Sequence, residues 1–212
     1  RPALELCKKK HIPVFVIDSE VSDTEAVVST IVSDNYDAGV QCAKDMMKKK
    51  TSANIIIVNQ KALNSINERV KGFRDTIKGH PQYKIVEEKE SAAEFEIAMK
   101  VMEKIIYEKK NYDVVMGGND PIALGCIAAM QMTDKTDQVM VYGVDGSPDG
   151  KAMIKAGFLE GTAAQSPIKI GEKAVQTAYS YLAGETVKKH VTIPVELITA
   201  DNLKFYDMTG WQ

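Results

Sequence analysis

Apolar runs of strand length alternate with helical stretches along the whole chain, and only a few architectures accommodate that rhythm. The strand-length runs fall at 12–18, 26–33, 54–58, 84–87, 114–117, 139–144, 162–165 and 192–198. Several are apolar at nearly every position, as strands buried on both faces of a parallel sheet require. Between them, Gly39, Val40, Ala43, Met46 and Met47 form one helical stripe. Ala98, Val101, Met102, Ile105 and Ile106 form a second, and Ile170, Ala174, Val175, Ala178, Tyr181 and Leu182 a third. This alternation predicts an α/β fold of doubly wound parallel sheets, Rossmann-like or flavodoxin-like. A chain of 212 residues has room for one or two such units. It carries no low-complexity tether and no repeat of solenoid period, so two units would be joined by crossings inside structured segments.

Charge and cysteine usage exclude several function classes. Lys and Arg number 27 against 29 acidic residues, and no basic stripe with interleaved aromatics follows any expected element, so nucleic acid is not an expected partner. Lys48, Lys49 and Lys50 sit where a helix should end, where they complement its dipole. Cys7, Cys42 and Cys126 are odd in number, form no CxxC pair and have no histidine at metal-ligand spacing. Their apolar neighbours predict buried thiols. His11, His80 and His190 pair with none of them as a nucleophile and base would. Most of the ten methionines are expected as core filler, and neither a metal nor a cofactor is expected. No apolar run reaches the roughly 18 residues that span a bilayer. The opening Arg1-Pro2-Ala3-Leu4-Glu5-Leu6 reads as the middle of an amphipathic helix and not as a signal peptide, so the sequence is expected to start inside a longer chain.

The chemistry collects where strands end. Val114-Val115-Met116-Gly117-Gly118 leads to Asn119-Asp120-Pro121, Val141-Tyr142-Gly143-Val144 to Asp145-Gly146-Ser147-Pro148, and Thr162-Ala163-Ala164 to Gln165-Ser166-Pro167. In each, an Asp or Ser can cap a helix whose first position is proline. Asn119, Asp145 and Gln165 then stand at the carboxyl ends of strands, the edge at which open α/β sheets bind ligands. Asp18 closes the run 12–17 in the same way, and Arg69 lies on a helix beginning near Ser65. Two carboxylates, two amides and a guanidinium suit vicinal hydroxyls, which both donate and accept, and so point to a sugar or polyol. Each also has a purely structural reading. Asp145 could shape a turn, Asn119 could cap, Asp18 could cap the next turn, and Arg69 could join a surface ion pair worth under about 1 kcal/mol.

These residues sit in segments that resemble the ribose-binding group of type I periplasmic binding proteins. The matching pieces are 12–18, Ser33-Asp34-Asn35 with Gly39, Asn67-Glu68-Arg69 with Gly72-Phe73, and Asn119-Asp120 with Ala123-Leu124-Gly125. They continue with Gly143 through Gly150 and with Thr162 through Pro167 followed by Gly171. The resemblance implies the periplasmic-binding-protein-like I fold, with two lobes, three hinge crossings and a cleft that closes on a monosaccharide or polyol. It places 1–33 and 166–193 in the first lobe, which would be incomplete, and 34–165 and 194–212 in the second. It implies sugar contacts at Asp18, Arg69, Asn119, Asp145 and Gln165. It further implies a monomeric, extracytoplasmic carrier, periplasmic or a cell-surface lipoprotein, that hands its ligand to the membrane permease of an ABC transporter and is not an enzyme.

Three positions depart from the ribose pattern. Ser19 stands where an Arg is common, Ala93 where an aromatic ring is expected with Phe95 two places on, and Gln60 where the pocket is usually apolar. Gln60 would add a hydrogen-bonding group, and a ligand other than ribose would use the altered space. Without the opening stretch of the first lobe, weak or absent sugar affinity is expected of this chain alone. Three alternatives stand beside this reading. A ligand-binding domain of the lactose-repressor family would typically carry a second Asp where Gly146 stands. A sugar receptor feeding a sensor kinase would look the same. An enzyme on a doubly wound fold would show GxGxxG, GxxxxGK[ST] or GxSxG, and none is present.

Overall fold

A computed structural model describes residues 2–133 and 139–211. In chain order the elements are α1 (Pro2–Lys9), β1 (Phe15–Ile17), β2 (Ser29–Ser33), α2 (Asn35–Lys49), β3 (Ala53–Asn59), α3 (Asn64–Ile77), β4 (Tyr83–Glu90), α4 (Phe95–Tyr107), β5 (Val114–Gly117), α5 (Asp120–Gln131), β6 (Met140–Asp145), α6 (Pro148–Lys155), β7 (Gly161–Ala164), α7 (Pro167–Leu182), β8 (His190–Ile193) and β9 (Glu196–Thr199). The chain divides into two compact units, one of residues 1–34 and 166–194 and one of 35–165 and 195–212.

The smaller unit holds a three-stranded parallel sheet in the order β1-β2-β8. Helix α7 packs on β1 and β2. Its apolar stripe exceeds what three short strands can cover, so only part of the expected set is buried. Ile170 is enclosed, whereas Val175, Tyr181 and Leu182 are exposed.

The larger unit is a six-stranded sheet, β4-β3-β5-β6-β7-β9, parallel throughout except for the β7–β9 pair. Helix α2 packs on α3, and α4 on α5. The two layers lie on opposite faces, as β6 shows. Tyr142 sends its hydroxyl to Asp45 of α2 at 2.8 Å, while the next residue, Gly143, faces Asp120 and Ala123 of α5. Burial and the neighbouring Asp45 carboxylate push the Tyr142 phenol well up, so it stays a neutral donor. Ile55, Ile56, Ile57, Val114, Val115 and Val141 fill the core between the layers.

Several expectations are corrected. The run 192–198 is two strands, because Pro194 has no N–H to donate to a ladder and the chain passes from one unit to the other there. The run 84–87 extends to Tyr83–Glu90, since β4 is an edge strand whose charged side chains form ion pairs, Arg74 with Glu88 at 2.6 Å and Lys110 with Glu87 at 3.1 Å. Cys7 is only half-buried on α1, while Cys42 and Cys126 are fully enclosed. Lys49 does more than face the helix end, bridging Asp45 at 2.8 Å and Glu160 at 2.6 Å.

Candidate functional site

In the larger unit the strand order reverses direction between β3 and β5, and ligands of open α/β sheets bind outside the carboxyl ends of strands at such a point. Gln60 follows the end of β3, Gly118 and Asn119 follow β5, Asp145 ends β6, and Gln165 follows β7. Asp145 pairs in register with Ala164, and the Gln165 N–H donates to the Asp145 carbonyl at 3.0 Å. Four of the expected residues thus line one edge because each is the residue at which a parallel strand stops.

Arg69 reaches that edge from α3. Its residue is 4% exposed, which removes it from the class of surface ion pairs. Nε donates to Asn35 Oδ1 at 2.8 Å and Nη1 to the Gly118 carbonyl at 3.0 Å. Nη1 also lies 3.5 Å from Asp145 Oδ1. The close approach of α2 and α3 holds the arginine in place. A Cβ at Gly39 would run into the Arg69 carbonyl oxygen, and one at Gly72 into that of Tyr36.

Asp145 is perturbed in both backbone and charge. Its φ of 144° and that of Gly146, 71°, are backbone conformations that L side chains rarely adopt, and a Cβ at Gly146 would also sit 2.5 Å from that of Ala164. Gln165 Nε2 donates to Asp145 Oδ1 at 2.7 Å, and the Asp120 N–H approaches Oδ2 at 3.4 Å. Burial pushes the Asp145 carboxyl up to about 6, opposed by the Arg69 guanidinium and reinforced by the Asp120 carboxylate.

Asn119 is the N-cap of α5, with Oδ1 accepting the Ile122 N–H at 3.0 Å. Its capping role is therefore real, and what it can turn to a ligand is the Nδ2 donor pair. Ser147 caps α6 in the same way, accepting the Gly150 N–H at 3.0 Å, whereas Ser166 makes no side-chain cap to α7. Gln60 is half-buried and its carbonyl accepts the Leu63 N–H at 3.1 Å.

Asp18 belongs to the smaller unit, where it follows β1 with a φ of 69° and is exposed. Its N–H donates to the Ile31 carbonyl at 3.0 Å, and Ser19 Oγ donates to its Oδ2 at 3.4 Å.

Sequence reasoning missed two residues of this edge. Asn35, which orients Arg69, was visible only as part of a matching segment. Asp120, wholly buried, accepts hydrogen bonds from Ser147 and Thr162. The sequence offers Asp120 as the cap of a helix with Pro121 at its first position, whereas the cap is Asn119 and Asp120 is already helical. Two further polar atoms, Asn59 Oδ1 at the end of β3 and Ser91 Oγ just past β4, are buried without a hydrogen-bond partner among the described residues. Among the described residues no group of His, Cys, Asp and Glu is placed to hold a metal ion, and no helix is long and apolar enough to cross a membrane.

The family model described as periplasmic binding protein domain matches residues 1–186. The ribose import binding protein of Escherichia coli is 31% identical over 199 residues, covering 92% of this chain and 66% of that protein. The D-apiose import binding protein of Paraburkholderia graminis is 31% identical over 210 residues, covering 97% and 67%. Among solved structures, the myo-inositol binding protein of Caulobacter bound to myo-inositol superposes with a TM-score of 0.87 at 26% identity, over 96% of this chain and 71% of that one. An ABC transporter solute binding protein from Agrobacterium vitis with bound D-fucose gives 0.86 at 29% identity, over 95% and 71%. The chain spans 66% of the length of the ribose binder it matches. The matched model and these relatives agree with the parallel sheets, and the chain belongs to the periplasmic binding protein domain family.

Proposed function

We propose that the protein is a solute-binding protein that captures a monosaccharide or related polyol and delivers it to the membrane permease of an ABC transporter. The observation that carries this reading is the Asp145 carboxylate, held at a strand end between Arg69 and Gln165, whose Oδ2 has among the described residues only the long contact from the Asp120 N–H. An oxygen so placed accepts a hydroxyl proton, and Asn119, just past the end of the neighbouring strand β5, offers its Nδ2 donors to a hydroxyl oxygen. Arg69 Nη2 takes no part in the contacts to Asn35, Gly118 and Asp145 and is a second donor. Gln60 and Asp18 complete the proposed ligand set on the strength of their positions at the ends of β3 and β1.

Relatives named for ribose and D-apiose import, and structures holding myo-inositol and D-fucose, support the ligand class. They also support a carrier and not an enzyme, and we read it as a monomer working outside the cytoplasm. We read residues 1–34 and 166–194 as part of the first lobe of such a carrier, and the larger unit as its second lobe.

A thermal-shift screen of the full-length protein tests the reading, because a ligand that binds only the folded state raises the melting temperature. D-ribose, D-apiose, D-fucose and myo-inositol are screened beside amino acids and nucleosides. A shift with at least one sugar or polyol is expected. A shift with an amino acid or nucleoside and none with any polyol would overturn it.

A further inference from the structure

The carboxylate of Asp120 takes no place in the ligand set, yet it is entirely buried at the sheet edge that carries Asp145. Oδ2 accepts the Ser147 N–H at 2.8 Å and the Ser147 hydroxyl at 2.6 Å, and Oδ1 accepts the Thr162 hydroxyl at 2.6 Å. Each of those hydroxyl oxygens itself receives an N–H, Thr162 from Gly146 and Ser147 from Gly150, both at 3.0 Å. Among the described contacts Asp120 accepts from the Ser147 N–H and from both hydroxyls. Burial pushes its carboxyl up, and these hydrogen bonds, with the Arg69 charge, oppose that shift. Room for it comes from Gly143 and Gly150, where a Cβ would collide with its oxygens.

The two peptide N–H groups that this arrangement orders are those of Gly146 and Ser147, the two that follow Asp145. They do not belong to the helix that Asp120 begins. The turn they form starts from an Asp145 φ of 144° and a Gly146 φ of 71°, conformations that persist only when the surroundings over-determine them. We propose that Asp120 is a positioning residue for ligand binding, holding the turn from Asp145 to Ser147 so that the Asp145 carboxylate stays beside Arg69 and Gln165. The functional half of this proposal rests on the polyol reading above. The geometric half does not.

The test uses Asp120→Asn and Thr162→Val in the full-length protein, with Tyr142→Phe as control. Tyr142→Phe removes a partly buried hydrogen bond from the same strand on the opposite face. Amide hydrogen exchange is read at Gly146 and Ser147, and the affinity for the polyol giving the largest melting shift among D-ribose, D-apiose and myo-inositol is read by calorimetry. Asp120→Asn and Thr162→Val are expected to speed exchange at Gly146 and Ser147 at least about tenfold while amides inside β6 stay protected, because only the local opening becomes easier. Affinity falls at least about tenfold in both. Tyr142→Phe lowers the melting temperature and changes neither readout. Unchanged exchange in both variants, or equal acceleration in Tyr142→Phe, would overturn the positioning role. Faster exchange with unchanged affinity would overturn its link to binding. Should no polyol bind the unmodified protein, the ligand reading fails by itself and the exchange result still decides whether Asp120 holds the turn.

Discussion

Arg69 Nη1 lies 3.5 Å from the same Asp145 oxygen that accepts the Gln165 amide at 2.7 Å, so a helix and two strand ends distant in sequence converge on one carboxylate. The side chains are 5% and 16% exposed. A pair so enclosed contributes less net stability than its Coulomb attraction suggests, and removing one member leaves a buried charge uncompensated.

Arg69→Lys keeps the charge and loses the planar fork that serves Asn35 and the Gly118 carbonyl together. Two buried acceptors then lack their donor, and a loss of about 1–3 kcal/mol in folding stability is expected. Urea denaturation measures it, and a variant as stable as the parent would show that the fork is dispensable.

Gly39→Ala sets a methyl group against the Arg69 carbonyl, a backbone atom that cannot swing aside. Helices α2 and α3 must separate, at a cost of about 1–3 kcal/mol or more. Because Arg69 moves with α3, ligand affinity should fall together with stability. Gly171→Ala, where a Cβ inside α7 meets nothing within 4 Å, is the matched control and should leave affinity unchanged while raising stability by up to about 1 kcal/mol.

Asp145 sets the expected pH response. Burial and the Asp120 carboxylate raise its pKa to about 6, against the opposing Arg69 charge and Gln165 hydrogen bond. A raised carboxyl pKa means that the folded state holds the proton more tightly than the unfolded one. The stability this contributes is complete below the ordinary carboxyl range and is lost as pH rises through about 6. Ligand binding has the opposite sign, since a hydroxyl proton needs the ionised acceptor. Affinity should therefore drop below that pH, by about tenfold per unit if one proton is taken up. Calorimetric titration across the range, repeated with Asp145→Asn, should show an acid limb that the variant lacks.

The fold was largely legible because parallel strands buried on both faces announce themselves as unbroken apolar runs, as at Ile55–Val58 and Val114–Met116. The edge strand β4 was half missed, since its outer positions are charged, and the break at Pro194 was hidden inside one apolar stretch. At the candidate edge, Asp145, Asn119 and Gln165 were legible as the residues at which strands stop. Asp120 was not. Its importance comes from Thr162 and Ser147, 42 and 27 positions away, and no local pattern encodes that meeting. The stripe on α7 shows the reverse failure, where periodicity marks an apolar face without showing how much sheet covers it.

Thiol chemistry gives a test of packing that needs no ligand. Burial pushes both the Cys42 and Cys126 thiols up, Cys126 to about 12, so neither supplies a thiolate near neutral pH. Cys7 is the most accessible of the three. A disulfide-exchange reagent should label Cys7 in the native chain and all three after denaturation. Rapid native labelling of Cys42 would mean that the α2 layer opens readily.

The most direct measurement is calorimetric titration of the full-length protein and its Asp145→Ala variant with the polyol that gives the largest melting shift. Loss of the acceptor from a hydroxyl-bonded carboxylate costs about 1.5–3 kcal/mol, so the variant should bind at least about tenfold more weakly. Tight polyol binding by the parent and its collapse in Asp145→Ala is the predicted result. Equal affinity in the two proteins would contradict the placement of the binding site on the edge where β6 ends.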